Sequence, residues 1–252
     1  MTATSFAALI TAAEAAFFEG WDFGWLRGRW NEAPLPWSYT ALVERALPAA
    51  TALLDMGTGG GEFLAGLAPL PPTTVATENW PPNVPVARRR LEPLGVSVVS
   101  GFADHAIPLA GASFDLIINR HESYELREIA RLLRPGGLFL TQQAGAQDVV
   151  ELNDLLGAPR PEVPGWALEN ELAAAAETGL RPLAWGESLL PATVTDVGAV
   201  VYFLRAIPWQ IEGFSAAGYR TALRTLHARI EREGPLQLTT HRFFYLARRT
   251  AG

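Results

Sequence analysis

Between residues 51 and 141 the chain alternates short apolar runs with helical stretches, and this constrains the fold more than any other feature. Residues 51–56, 73–77, 96–100, 114–119 and 138–141 read as strands, each too short and too apolar for a surface helix. Residues 62–67, 84–94 and 123–133 read as helices, and Arg134-Pro135-Gly136-Gly137 as a turn. Regular alternation of this kind predicts an α/β protein: a mostly parallel sheet, helices on both faces and right-handed crossovers. A helical N-terminal cap is expected ahead of it, with helices over 5–18 and from the N-cap Ser38 to residue 47, parted by Pro34-Leu35-Pro36-Trp37. After it come a helix over 168–177 stopped by Gly179, a strand over 181–190, helices over 196–205 and 219–233, and a last strand over 237–247. One domain is expected, with 1–48 as cap, 49–145 as core and 146–252 completing the sheet and its pocket helices.

Composition removes several chemistries. There is no cysteine, so disulfides, thiolate nucleophiles and Cys-type zinc sites are excluded. The four histidines show no HxxxH or HExxH spacing, and no metal is expected. Every one of the 20 basic residues is arginine, which rules out a Schiff-base or Walker-type lysine. The net charge of −6 argues against nucleic acid as the main partner. No run approaches the roughly 18 apolar residues of a membrane span. The Ala-rich start has no basic region and is interrupted by Glu14 and Glu19, so a cytoplasmic protein is expected.

The segment Leu53-Leu54-Asp55-Met56-Gly57-Thr58-Gly59-Gly60-Gly61-Glu62-Phe63-Leu64 carries the strongest functional signal. A strand ends in an acid, glycines make the turn, and an apolar helix follows. Glycine is needed where φ is positive and where a ligand approaches backbone. The loop lies at the carboxyl end of a strand, where open α/β sheets bind ligands. A dinucleotide fingerprint started at Gly57 would need a small residue where Glu62 stands, and one started at Gly59 meets Leu64. An acid there repels a pyrophosphate at the helix N-terminus. The expected cofactor therefore has no phosphate at that spot; a plain structural turn is the alternative.

This pattern resembles the class I S-adenosylmethionine-dependent methyltransferases, in their small-molecule branch. Asp55, Gly57, Gly59 and Gly61 match the family's first motif position by position, with Thr58 inside it. Glu78, ending the next strand, matches the acid that holds the ribose hydroxyls, and one carboxylate can accept both. Asn79 follows it. Phe102-Ala103-Asp104-His105-Ala106-Ile107-Pro108 is similar to the segment that contacts adenine; the family's acid stands five residues before the proline, where this chain has Ala103, with Asp104 next. Residues 114–119 resemble the fourth strand, and Leu132 to Gly137 the turn before the fifth. The resemblance implies a Rossmann-like seven-stranded sheet whose last strand, containing 243–247, is antiparallel. It also implies S-adenosyl-L-methionine as cofactor and a small-molecule acceptor.

Asn119-Arg120-His121-Glu122 follows the fourth strand, a position that in the family borders donor and acceptor. Asn119 joins the cofactor set. His121 is the general-base candidate, since an ordinary imidazole titrates near 6.5; ordering the loop is its alternative role. Glu122 is expected to cap the next helix or orient His121. Of Gln142 and Gln143, one should face the cleft, because strand neighbours alternate faces. Trp21, Trp25, Trp30, Trp37, Tyr202, Phe203, Trp209, Phe214 and Tyr219 either wall a pocket or pack a core. Arg205 and His241 are further pocket candidates, and Arg88-Arg89-Arg90 reads as a solvated helix face. A cofactor binder without methylating activity and an RNA-modifying enzyme remain alternative readings. The acceptor and the oligomeric state are not encoded in any motif. The cap is a natural lid candidate.

Overall fold

The computed structural model describes residues 5–161 and 167–250. In chain order the elements are α1 (Phe6–Ala15), β1 (Trp30–Glu32), α2 (Tyr39–Ala46), β2 (Ala52–Met56), α3 (Glu62–Gly66), β3 (Thr73–Thr77), α4 (Val84–Leu91), β4 (Ser97–Val99) and β5 (Phe114–Arg120). They continue with α5 (Leu126–Leu132), β6 (Leu133–Ala144), α6 (Glu151–Leu156), α7 (Leu168–Glu177), β7 (Leu180–Val194), α8 (Val197–Ala206), α9 (Arg220–Glu233) and β8 (Leu236–Arg249). No helix among the described residues is long and apolar enough to cross a membrane.

The strand order is β1-β7-β8-β6-β5-β2-β3-β4. The pairs β2–β3, β3–β4, β2–β5 and β5–β6 are parallel, while β6–β8 is antiparallel. This is a Rossmann-like α/β sheet, with eight strands instead of the seven expected. The extra one, β1, is a three-residue strand antiparallel to the end of β7, from Trp30↔Val194 to Glu32↔Ala192. Its sequence has no alternation long enough to announce it. Two further expectations need correction. The helix expected over 123–133 starts only at Leu126, with Glu125 at its N-cap position, so Glu122 caps nothing. The expected turn at 134–137 lies inside β6, where Phe114↔Leu133 and Leu116↔Leu138 set five residues of β6 against two of β5.

The chain forms two compact units. The first comprises residues 1–35, 146–164 and 189–241, and the second 36–145, 165–188 and 242–252. In the first, α1, α6, α8 and α9 share a core of Leu9, Ile10, Leu152, Val200, Leu223 and Leu226. Ser5 and Asp196 cap α1 and α8 by accepting from Ala8 N and Ala199 N. Most of the cap and late aromatics are consumed by this core: Trp25 stacks on Tyr202 with centroids 4.8 Å apart, Trp30 on Phe203 at 4.2 Å.

In the second unit, period-two alternation supplies a core on each face of the sheet. Leu54, Ile117, Phe139, Phe243 and Tyr245 face α5 and α7. Leu53, Leu116, Ile118, Leu140 and Phe244 face α2, α3 and α4. At the amino ends of β2 and β5, Asp115 accepts from Thr51 N, Thr51 Oγ1, Ala52 N and Arg134 Nη1. From β2 the chain winds outward through β3 to β4, then returns to β5 and proceeds to β6 on the other side. The order reverses between β2 and β5, and the crevice outside their carboxyl ends is where such sheets take ligands.

Candidate functional site

The second unit brings Asp55, the glycine loop, Glu78, Asn119 and His121 to the carboxyl ends of β2, β3 and β5. Gly57, Gly59 and Gly61 all have positive φ, at 65°, 62° and 80°. The loop is pinned from below: Thr58 N donates to Thr77 O at 2.9 Å, and Gly57 N to Thr77 Oγ1 at 3.3 Å. It is also pinned from the side. Arg90 donates to Gly60 O and pairs with Glu62, so one member of the run read as a solvated face is a brace for the loop. Arg88 does lie on the exposed side, 4.0 Å from Glu92.

Three buried polar atoms at the carboxyl ends of these strands have no protein partner: Thr58 Oγ1, Glu78 Oε2 and Asn119 Nδ2. Buried polar groups are nearly always hydrogen-bonded, so orphans clustered at a switch point mark a place for a polar ligand. The other oxygen of Glu78 accepts from Trp80 N at 2.7 Å, leaving Oε2 presented. Asn119 is held from three sides. Its Oδ1 accepts from Gln143 Nε2 at 2.7 Å and Thr141 Oγ1 at 3.3 Å, and its carbonyl from Tyr39 Oη at 2.9 Å. Among them the orphans offer a carboxylate acceptor, an amide donor and a hydroxyl, a set that fits a nucleoside with a ribose diol.

Carboxylates gather here. Burial pushes Asp55 up to about 7, opposed by the neighbouring Thr58 side chain and by Arg120, with Glu78 adding to the rise. Glu122 is pushed up to about 7 by burial and by the charges of Glu78 and Asp104. Its side chain lies against Gly57, where an added Cβ would meet Glu122 Cβ at 2.4 Å. Asp104 is part of this cluster, accepting from Ser123 Oγ at 2.6 Å, whereas Ala103 is an exposed bridge residue opposite Ala106. Asn79 uses its amide on the same loop, donating to Phe102 O and accepting from Gly101 N, both at 2.9 Å. It shapes the segment expected to meet the base. Glu128 and Arg131 of α5 hold the rest of that segment, through Ile107 N, Ile107 O and Leu109 O.

The other half of the site is basic and aromatic. His121 has φ 64°, a left-handed conformation uncommon for this residue and a form of strain that clusters at functional sites. Its N–H donates to Gln142 O at 2.9 Å. Dense surroundings, together with the positive Arg242 and Arg120, hold its imidazole well below 6.5, while contact with solvent moderates that effect. Gln142 and Gln143 part as alternation requires. Gln143 braces Asn119, while Gln142 accepts from Trp37 Nε1 at 2.9 Å and lies 3.5 Å from His121 Nε2. Arg120 lies 4.8 Å over the Phe63 ring and 6.0 Å from that of Tyr39.

Tyr39, Gln143 as a brace and Arg90 as a loop brace escaped sequence reasoning, whereas Trp37 stood among the aromatics expected to wall a pocket or pack a core. Tyr39 had one legible signal, a polar aromatic directly after the Ser38 cap. Of the other candidates, Arg205 donates to Ala13 O, and His241 Nδ1 accepts from Gln147 N at 3.2 Å. Both serve the first unit's own structure. Among the described residues there is no group of three or more metal-ligating side chains.

Residues 54–141 match the family model described as a methyltransferase domain. A ubiquinone biosynthesis O-methyltransferase of Cereibacter sphaeroides is 31% identical over 96 residues, 35% of this chain and 39% of that protein, so the match spans about two fifths of the curated relative. Among solved structures, a Bacillus halodurans protein described as a candidate methyltransferase superposes with TM-score 0.63 at 17% identity, over 85% of this chain and 99% of that one. A geranyl diphosphate methyltransferase, solved with GPP and sinefungin, superposes with TM-score 0.52 at 17% identity, over 84% and 77% of the two chains.

Proposed function

We propose that this chain, whose core belongs to the class I methyltransferase family, transfers a methyl group from S-adenosyl-L-methionine to a small-molecule acceptor. The observation that carries the reading is the buried, unpartnered Glu78 Oε2 beside a left-handed glycine loop. When bound, the cofactor supplies an electrophilic methyl carbon on a sulfonium. Glu78 would accept both ribose hydroxyls, and Gly57, Gly59 and Gly61 would let the ligand approach backbone. Asn119 would donate its free amide proton, and Asp55 and Thr58 line the turn beneath. Asn79, Ala103 and Asp104 shape the base's side of the site. The geranyl diphosphate methyltransferase was solved with sinefungin, an analogue of this cofactor, which supports the assignment.

Methyl transfer asks the protein mainly to align two reactants, and alignment can be worth roughly 7–11 kcal/mol. His121, Gln142 and Trp37, linked on one side of the strand ends, would align the acceptor. The Cereibacter relative is a ubiquinone biosynthesis O-methyltransferase, which makes oxygen the first acceptor atom to try here.

Isothermal titration calorimetry tests the reading. S-adenosylmethionine and S-adenosylhomocysteine should bind the protein and NAD should not. Glu78→Gln keeps the shape and removes the charge, so affinity should fall about 10–100-fold, the worth of hydrogen bonds to a charged group. Absence of adenosyl binding would sink the proposal.

A further inference from the structure

The site is divided by charge. Asp55, Glu78, Asp104 and Glu122 lie on the side of the glycine loop, whereas Arg120 and Arg242 set the field at His121. Arg120 ends β5 opposite Gln142 of β6, and Arg242 begins the part of β8 that pairs with β6, opposite Ala144. Arg120 is exposed, takes no side-chain ion pair or hydrogen bond among the described residues, and has its guanidinium carbon 4.8 Å from the centre of the Phe63 ring. Asp55, buried under the glycine loop, also feels its charge but makes no ion pair or hydrogen bond with it. An exposed arginine on an aromatic platform, beside Gln142 and Trp37, is suited to a planar anionic oxygen group.

We infer that the acceptor enters this site as an oxyanion, a carboxylate or an acidic phenolate, and that Arg120 receives its charge with Arg242 adding to the positive field. The inference rests on the methyltransferase reading and names its substrate class. The chemistry closes without a base. A lone pair of the anionic oxygen forms the new O–C bond as the C–S bond breaks, and that electron pair stays on sulfur. Sulfonium and oxyanion become a neutral thioether and a neutral ester or ether, and no proton moves. The surroundings of His121 agree in direction, because the positive Arg242 and Arg120 beside this exposed imidazole disfavour its protonated form and weaken it as a base. Two arginines would also repel an ammonium acceptor. His121 is then a neutral positioning residue.

The test uses the full chain saturated with S-adenosylhomocysteine at pH 8, titrated with benzoate, 4-nitrophenolate, benzamide and benzylamine. The two anions should bind at least tenfold more tightly than the amide and the amine. In Arg120→Gln and in Arg120→Gln/Arg242→Gln that preference should disappear, with S-adenosylhomocysteine affinity within about twofold of wild type and melting curves still cooperative. Equal or tighter binding of benzamide or benzylamine, no binding of either anion, or a preference that survives the double variant would each overturn the inference. A tenfold loss of S-adenosylhomocysteine affinity in Arg120→Gln would also overturn it, by assigning the arginine to the cofactor. If wild type binds no adenosyl ligand, the underlying reading fails first, in a separate titration.

Discussion

Asp55 is the residue in which fold and site compete. It is the fourth residue of β2, a strand whose five residues are all buried, and there it is 6% exposed. Burial raises its carboxyl from 3.8 to about 7, so the folded protein holds that proton more tightly than the unfolded chain. Stability from this group is therefore greatest below about pH 4 and is lost as pH rises toward 7, by up to about 4 kcal/mol at full effect. Urea denaturation at pH 5 and pH 8 should show wild type losing clearly more stability across that interval than Asp55→Asn does. Equal losses would mean that Asp55 ionises normally. The acid was legible in the sequence from its position before alternating glycines. Its altered titration was not, because it depends first on burial and then on Thr58, Arg120 and Glu78, and the chain buries Asp55 and brings the last two close only by pairing β2 with β3 and β5.

Elements set what a single glycine can tolerate. At Gly57 a methyl group would need a left-handed backbone and would strike Glu122 at Cβ and Cγ, near its main chain and not at a flexible tip. Gly57→Ala should therefore move the 121–123 loop against the glycine turn, costing about 1–3 kcal/mol of stability and at least tenfold in adenosyl affinity. Gly66, the last residue of α3, has nothing within 4 Å of an added Cβ. Gly66→Ala should leave affinity intact and add up to about 1 kcal/mol. Differential scanning calorimetry with and without S-adenosylhomocysteine separates the two variants, and equal behaviour would remove the special role of the loop. This is also the scale at which the sequence was most informative. Strand β3 and helix α7 fall where periodicity places them, and Ser38 caps α2 through Ala41 N as its residue type suggests. Two of the misses share one cause. Strand β1 and the delayed start of α5 depend on partners distant in sequence: β1 on the end of β7, and Ser123 on Asp104 in place of a helix cap.

Over the whole molecule, neither unit is a continuous stretch of chain. The second takes its central strands from 36–145, a helix and strand from 165–188, and a last strand from 242–252. Residues 54–141, the part readable as a methyltransferase domain, thus lack the antiparallel neighbour of β6. A chain cut after Gly234 should lose cooperative melting and pellet on centrifugation, because it leaves β6 with an open edge and Phe139 without Tyr245. A soluble fragment with the intact protein's melting transition would refute that dependence. The same pairing sets a timetable during synthesis. β6 ends at Ala144 and its partner begins only at Leu236, so at about 5–20 residues per second a ribosome leaves the middle of the sheet unfinished for roughly 5–20 s. Through that interval an apolar strand edge faces the crowded cell, and the nascent chain has reason to depend on chaperones until its last strand emerges.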